Sequence, residues 1–326
     1  MNTKLILVEG LIGSGKSAAA QFIWIQLQKH GFQCRWFLED EINHPLYLKS
    51  LKNFKTPEDA MAELHGRWVS FVRQVKHSQG IAIVEACLFQ YIVGLMLEMA
   101  IDADTISAYV RGIKDVFKEL LPIFVNLKEP DVARSLRAIC DKRGKLWENL
   151  VVDRNNRTLY ARRKGLSGFA GFVQFTQSIS QLSDRLFEEF DIQKITIDKS
   201  IGDWQQHHKK IFNFMKLPLI EDEPIPMEQL NTFTGVYTCH YQGTEHTFSV
   251  EIEKGSLVVY NNPYLWISGN RLIFKEGNIF YPESWPYEFI FEENSNRIVQ
   301  HIRMKPSMAS GESQGEIFLK QSTIDG

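Results

Sequence analysis

Gly10-Leu11-Ile12-Gly13-Ser14-Gly15-Lys16-Ser17 obeys the pattern G-x-x-x-x-G-K-[ST], with an apolar run, Leu5 to Glu9, before it and a helical stretch to about His30 after it. A glycine-rich loop placed between a strand and a helix constrains the fold more than any other feature of the chain. Glycines allow successive backbone N–H groups to turn inward around phosphate oxygens, and the helix N-terminus favours their charge. The segment Gly10 to Ser17 is therefore expected to bind ATP. Lys16 should reach the β and γ oxygens, and the Ser17 hydroxyl should ligate Mg²⁺.

Short apolar runs alternate with longer amphipathic ones through the first two-thirds of the chain, which predicts βαβ units and a parallel sheet. The expected strands are Lys4 to Glu9, Gln33 to Glu39, Ile81 to Glu85, Pro122 to Leu127 and Lys194 to Asp198. Thr56-Pro57-Glu58-Asp59 supplies a capping hydroxyl, a proline at the first helical position and two acids in the first turn, predicting a helix to about His77. Asp104 is the expected cap of a second helix, and Pro130 the expected start of a third.

Leu217-Pro218 and the acidic run Glu221 to Pro226 read as a linker, so the expected division is a domain at 1–217, a linker at 218–229 and a second domain at 230–326. Beyond the linker no helix is expected. Turn signals recur at Gly243, Gly255, Asn261-Asn262-Pro263, Gly269-Asn270, Gly277-Asn278 and Asn294-Ser295-Asn296, the rhythm of a small all-β barrel or sandwich. His246 to Lys254 alternates Phe248, Val250 and Ile252 with polar residues, which gives a strand one apolar face. Tyr260, Tyr264, Trp266, Tyr281, Trp285 and Tyr287 suit either the core of a small barrel or a ligand-binding mouth or dimer face.

The 37 basic and 39 acidic side chains give a formal net charge of −2. That balance argues against a chain that coats nucleic acid polymers or anionic membranes. Ile81 to Ile101 is long enough to suggest a membrane span, but Glu85, Gln90 and Glu98 interrupt it, so a buried strand followed by a helix is expected. Cys34, Cys87, Cys140 and Cys239 lie far apart without a metal-ligand spacing and suit buried thiols in a reducing cytoplasm. No export signal is read at the start, and the expected location is cytoplasmic.

Several phosphate-loop classes lack their other parts here. No Asn-Lys-x-Asp base reader follows a later strand, as a GTPase requires. Leu166-Ser167-Gly168 is followed by Phe169 and Ala170, not by the Gly and Gln of a transporter-type ATPase signature. The third strand ends in the single acid Glu85, where mechanical ATPases usually carry two.

From Met1 to about Met215 the chain resembles the deoxynucleoside kinase and thymidylate kinase group of P-loop kinases. The resemblance implies the sheet order 2-3-1-4-5, with helices on both faces. It also implies that Glu39, in Phe37-Leu38-Glu39-Asp40, is the base for the acceptor hydroxyl and that Glu85 joins Ser17 in positioning Mg²⁺. Pro122 to Leu127, Pro130 and Arg143-Gly144-Lys145-Leu146-Trp147-Glu148 follow the group's fourth strand, helix and arginine-rich lid, so Arg143 and Lys145 would clamp the moving phosphoryl group. Further cations, including Arg134, Arg137, Arg154, Arg157, Arg162, Arg163 and Lys164, suit either such a lid or a solvated basic face.

The departures fall on the acceptor side. Ala86-Cys87 stands where the group has Arg-Ser, and Ile139 where an arginine precedes the lid. Asp40-Glu41-Ile42-Asn43-His44-Pro45 replaces a proline directly after the base. Arg67, Trp68, Phe71 and Arg73 fall where relatives contact the acceptor but also suit a core-facing helix. His44 and His65 suit packing or acceptor contact, and His207-His208 reads as a basic helix end. The implied activity is an ATP- and Mg²⁺-dependent kinase of a small-molecule acceptor, compatible with a homodimer. An ATP-binding regulatory module or slow ATPase without a phosphorylated acceptor is the alternative. The tail lies outside this family, and Leu230 to Tyr237 resembles the small all-β domains at the C-terminus of some penicillin-binding-protein-like hydrolases.

Overall fold

The computed structural model describes residues 1–326 except 42, 51–53, 201–202, 266–267, 297, 307–315 and 322–326. Ile42 and Trp266, both singled out in the sequence, lie outside the described residues. The chain divides into two compact units, Met1–Leu219 and Ile220–Gly326.

In the first unit five parallel strands, β1 (Leu5–Gly10), β2 (Cys34–Phe37), β3 (Ile81–Glu85), β4 (Ile123–Lys128) and β5 (Gln193–Asp198), lie in the order β2-β3-β1-β4-β5. This is the order the resemblance implies. It puts β1, which carries the glycine loop, at the centre, with Val8 level with Glu85 on β3 and with Val125 on β4. The carboxyl ends of β1, β2 and β3 consequently open beside one another, where ligands of parallel sheets bind.

Each crossover helix is specified locally. α1 (Lys16–Lys29) begins directly on the loop lysine and buries Ala19, Ala20, Ile23 and Leu27. α2 (Pro57–His77) has the expected start, a full capping box in which the Thr56 hydroxyl accepts from Asp59 N–H and the Asp59 carboxylate accepts from Thr56 N–H. From its apolar stripe Trp68, Phe71, Val72 and Val75 enter the main core, and Leu64 is buried as well. After β3 the expected helix arrives as a π-helical turn (Phe89–Val93) running into α3 (Gly94–Glu98). Among the described residues no helix is long and apolar enough to cross a membrane.

α4 (Ala103–Phe117) is capped by Asp102, not by Asp104. The Asp102 carboxylate accepts from the N–H groups of Asp104 and Thr105, so Asp104 already lies in the first turn. α5 (Val132–Arg143) likewise starts two residues later than Pro130 suggests, capped by Asp131, whose carboxylate accepts from Arg134 N–H. A carboxylate at the cap satisfies a free N–H, which a proline ring cannot do. α6 (Lys145–Arg157), α7 (Leu159–Lys164), α8 (Gly168–Glu189) and α9 (Trp204–Phe214) complete the unit.

The second unit opens with a helix the sequence does not announce, α10 (Met227–Phe233), which sends Leu230 and Phe233 into the core that follows. Eight strands, β6 (Gly235–Tyr241), β7 (Thr244–Glu253), β8 (Ser256–Tyr260), β9 (Asn270–Glu276), β10 (Ile279–Pro282), β11 (Tyr287–Glu293), β12 (Val299–Pro306) and β13 (Glu316–Lys320), close into an antiparallel barrel. An eight-stranded barrel is just wide enough for side chains to fill. Phe233, Tyr237, Phe248, Phe280, Phe289, Phe291 and Phe318 do so, and Tyr237 Oη donates to the Phe233 carbonyl at 2.7 Å. Of the aromatics singled out in the sequence, Tyr264, Trp285 and Tyr287 only flank this core, and the Tyr260 hydroxyl bonds Glu253.

Trp68 is fully buried, packed against Phe71 and Phe117. Trp68→Ala is expected to destabilise the first unit by about 3–5 kcal/mol. Urea denaturation followed by helical circular dichroism checks this.

Candidate functional site

Gly13 and Gly15 both hold positive φ, +79° and +86°, and each is pressed by a neighbour. A Cβ on Gly13 would lie 3.1 Å from the Ile139 side chain, and one on Gly15 only 2.4 Å from the Trp204 indole. A side chain at either place would thus be strained twice, by backbone and by contact. Ile139 joins Val132, Leu136 and Phe172 in a small apolar cluster that also takes in Leu11 and Ile12. α5 is therefore attached to the loop by packing. The ring of His208 stacks on Phe22 of α1 with centroids 3.5 Å apart, and His207 is buried, so the histidine pair serves the α1–α9 contact.

The Lys16 ammonium donates to the Leu11 carbonyl at 3.1 Å and to Gln90 Oε1 at 2.6 Å. Gln90 Nε2 in turn donates to Glu39 Oε1 at 2.5 Å. The amide orientation follows from chemistry: an ammonium can only donate and a carboxylate accepts. Ser17 Oγ donates to Glu85 Oε1 at 2.8 Å, and the same oxygen accepts the Glu39 backbone N–H at 3.3 Å. Lys16, Ser17, Glu39 and Glu85 are thus linked through direct hydrogen bonds and one intervening glutamine.

Burial dominates the electrostatics. Glu85 is raised to about 8 by burial and by the Glu39 charge, against the pull of Lys16 and Ser17. Glu39 is also raised by burial, with Lys16 opposing. Burial raises Asp40 too, while Arg143 draws it back. Arg143 itself is lowered by burial and held up by Asp40 and Glu39, so its charge and those of both acids act on one another. Its Nε is buried without a hydrogen-bond partner among the described residues, and its guanidinium lies 4.9 Å from the Trp147 ring centre.

Lys145 is not brought to this group. Its ammonium bonds Glu148 at 2.9 Å on a side chain that is 72% exposed. Arg137 shares Glu148 and lies 3.7 Å over the Phe169 ring, and Arg154 bonds Glu98. Trp68 and Phe71 serve the core, His65 and Arg73 are exposed, and Arg67 bonds Glu63 and the Tyr47 carbonyl. His44 is buried, accepts from Leu46 N–H through Nδ1, and is pushed down to about 3 by burial, so it is a neutral packing residue beside Tyr47.

Two polar residues of the site carried no sign of their role in the sequence analysis. Gln90 stood out there only as a polar interruption in an apolar run. Glu9, fully buried at the end of β1, accepts from the N–H groups of Leu88, Phe89 and Gln90 at 2.7, 3.2 and 3.4 Å. An acid directly before a glycine loop was the only available signal. Tyr47 and Tyr91 stack at 4.1 Å nearby, and Tyr47 Oη donates to the Glu85 carbonyl at 3.3 Å.

The donor set fits a hard divalent cation. Glu85 Oε2 is buried without a hydrogen-bond partner among the described residues, next to the Ser17 hydroxyl. No group of three or more His, Cys, Asp or Glu residues suited to a metal occurs among the described residues. Any Mg²⁺ would therefore take most of its oxygens from phosphate and water, its usual habit. The cysteines form no disulfides.

An α/β unit whose five-stranded parallel sheet carries the glycine loop, followed by a closed β-barrel, is what the chain presents. No protein-family model matches it, and no curated protein is similar in sequence. Among solved structures it is similar to a deoxyadenosine kinase from M. mycoides with bound dATP. The two are 17% identical, with a TM-score of 0.39 over 65% of this chain and 99% of that one. It is also similar to the protein APE1195, 12% identical, with a TM-score of 0.39 over 66% of this chain and 97% of that one.

Glu9 is raised to about 7 from an ordinary 4.5, chiefly by burial. In the folded chain it keeps its proton to higher pH than in the unfolded chain. Its stabilising contribution is complete below about pH 4.5 and is lost as pH rises through about 7. Glu9→Gln is expected to show a smaller fall in melting temperature between pH 5 and pH 8 than the wild type, as measured by differential scanning calorimetry.

Proposed function

We propose that the chain is a kinase that moves the γ-phosphoryl group of ATP to a hydroxyl or phosphate oxygen of a small-molecule acceptor. The observation that carries this reading is the hydrogen-bonded sequence Lys16–Gln90–Glu39. It places the loop cation and a buried carboxylate within one amide of each other, so a phosphate held by Lys16 and an acceptor hydroxyl held by Glu39 would be neighbours.

In the reaction an acceptor oxygen forms a bond to the γ-phosphorus while the bond to the β-bridging oxygen breaks and releases ADP. For a hydroxyl acceptor, Glu39 takes the proton. Its raised affinity for protons suits a general base, since a base is most effective when its pKa nears the working pH. Arg143, beside Glu39 and Asp40, supplies positive charge where phosphoryl oxygens become more negative. Ser17 and Glu85 would hold Mg²⁺, which when bound neutralises charge on the β- and γ-phosphates. Lys145 would need to leave Glu148 to take part in the clamp.

A regulatory module or slow ATPase is the second reading. It draws on Ala86 and Cys87, buried small residues that place no cation beside Glu85. Acceptor-dependent ADP release separates the two. Under the kinase reading, a screen of nucleosides, nucleotides, sugars and amino alcohols finds an acceptor that raises ADP formation well above the basal rate. No stimulation by any acceptor would favour the module.

Lys16→Ala is expected to abolish nucleotide turnover in a folded protein, because no neighbour replaces its point charge. A normal rate in that variant would overturn the reading. Glu39→Gln is expected to leave ATP affinity nearly unchanged and to lower acceptor-dependent ADP release by about 10²–10⁴. Binding calorimetry beside a coupled ADP assay measures both quantities.

A further inference from the structure

A second concave site lies in the first unit, away from the loop. It is a cleft of about 440 Å³ between the α3–α4 connection, α7 and α8. Its volume is in the range usual for small-molecule sites. None of its lining residues belongs to the segment 10–17 or to the Glu39, Glu85 and Arg143 group.

Its charge is one-sided. Arg163 and Lys164 from α7 and Arg185 from α8 line it, all exposed, against the single acid Asp102. Asp102 is already committed, since its carboxylate caps α4 and accepts from the Thr105 hydroxyl. Acids on the neighbouring helices are taken by other cations: Glu98 by Arg154, Glu189 by Arg111 and Asp184 by Lys128. Among the described residues none of Arg163, Lys164 and Arg185 enters an ion pair. A concave surface lined by one sign of charge raises the local concentration of the opposite one. Guanidinium forks match phosphate oxygens in pairs.

The rest of the lining is of a different character. Leu97 and Leu182 are buried and Ile101 half-buried, so together they offer apolar surface. The Tyr160 ring packs on Phe175, with its hydroxyl 2.9 Å from Ser178 Oγ. Cations beside an apolar floor and an aromatic ring suit a ligand with an anionic group and a flat apolar body.

We infer that this cleft binds a small organic phosphate with a flat apolar body, at a site separate from the glycine loop. α7 continues from the lid helix α6 through the single residue Thr158, whose hydroxyl caps α7 by accepting from Ala161 N–H. An occupant held by Arg163 and Lys164 would thereby restrain the far end of the lid, giving the site a regulatory use. The inference needs no assumption about the reaction at Glu39.

The test is calorimetric titration of the full chain with phenyl phosphate at low salt, with inorganic phosphate and phenol as separate arms. Phenyl phosphate should bind more tightly than either part, and its affinity should fall with added salt. Arg163→Ala/Arg185→Ala should weaken it by about tenfold or more, the scale of lost charge-assisted hydrogen bonds. Lys164→Glu, a second exposed change, should weaken it likewise if the double variant fails to fold. Lys16→Ala should bind as the wild type does. Absence of binding to the wild type, equal binding to the folded cleft variants, or loss confined to Lys16→Ala would each overturn the inference.

Discussion

The buried Glu9 carboxylate ties the end of the central strand to the segment that follows β3. It accepts three successive backbone N–H groups, those of Leu88, Phe89 and Gln90, as the chain enters the π-helical turn. Backbone donors at the start of a helical turn have no partner within it, and a buried carboxylate answers several at once. The consequence is positional. Gln90 is held where its side chain can span Lys16 and Glu39, so the arrangement of the site depends on a residue that touches none of its expected ligands.

Around that anchor the site gathers acids faster than cations. Glu9, Glu39 and Glu85 are all raised by burial, and the positive charges that oppose this are Lys16 for all three and Arg143 for Glu39. Carboxylates out of water are costly unless paired, coordinated or protonated. The surroundings of Glu85 and Ser17 therefore favour a bound cation, and under the proposed function the same charge would draw the donor phosphates into place. Arg143 adds to this from the turn where α5 ends and α6 begins.

The barrel is built on a different principle. Its strands close on themselves, leaving no edge in the ring, and its interior is filled by phenylalanines with Tyr237 and the end of α10. Among the described residues no ionisable cluster comparable to the one around Lys16 lies in that core. Its ion pairs, such as Glu292 with Arg303 and His301, involve partly exposed side chains. The charge-bearing chemistry of the chain is thus concentrated in the α/β unit.

Much of this was legible in the amino-acid sequence because the signals are local. A glycine loop between apolar strand and helix, the Thr56 capping box and the glycine and asparagine turns of the tail are determined within a few residues by backbone sterics and hydrogen bonding. Such signals carry their own neighbours with them, which is why the parallel sheet and the all-β tail could be read. Where two local candidates competed, as with Asp102 against Asp104, spacing alone did not separate them. Short α10 had too few residues to show a periodicity. Gln90 and Glu9 act across 51 and 79 to 81 positions of chain, and no pattern in the sequence reports such a pairing. Lys145 looked equivalent to Arg143 from its place beside Gly144, yet tertiary packing left one charge acting on Glu39 and Asp40 and gave the other to Glu148. Sequence alone determined which chemistry the loop can perform, because that chemistry resides in residue types at fixed spacing. Only the folded sheet decided which acids and cations share the site, because that depends on which strand ends it brings together.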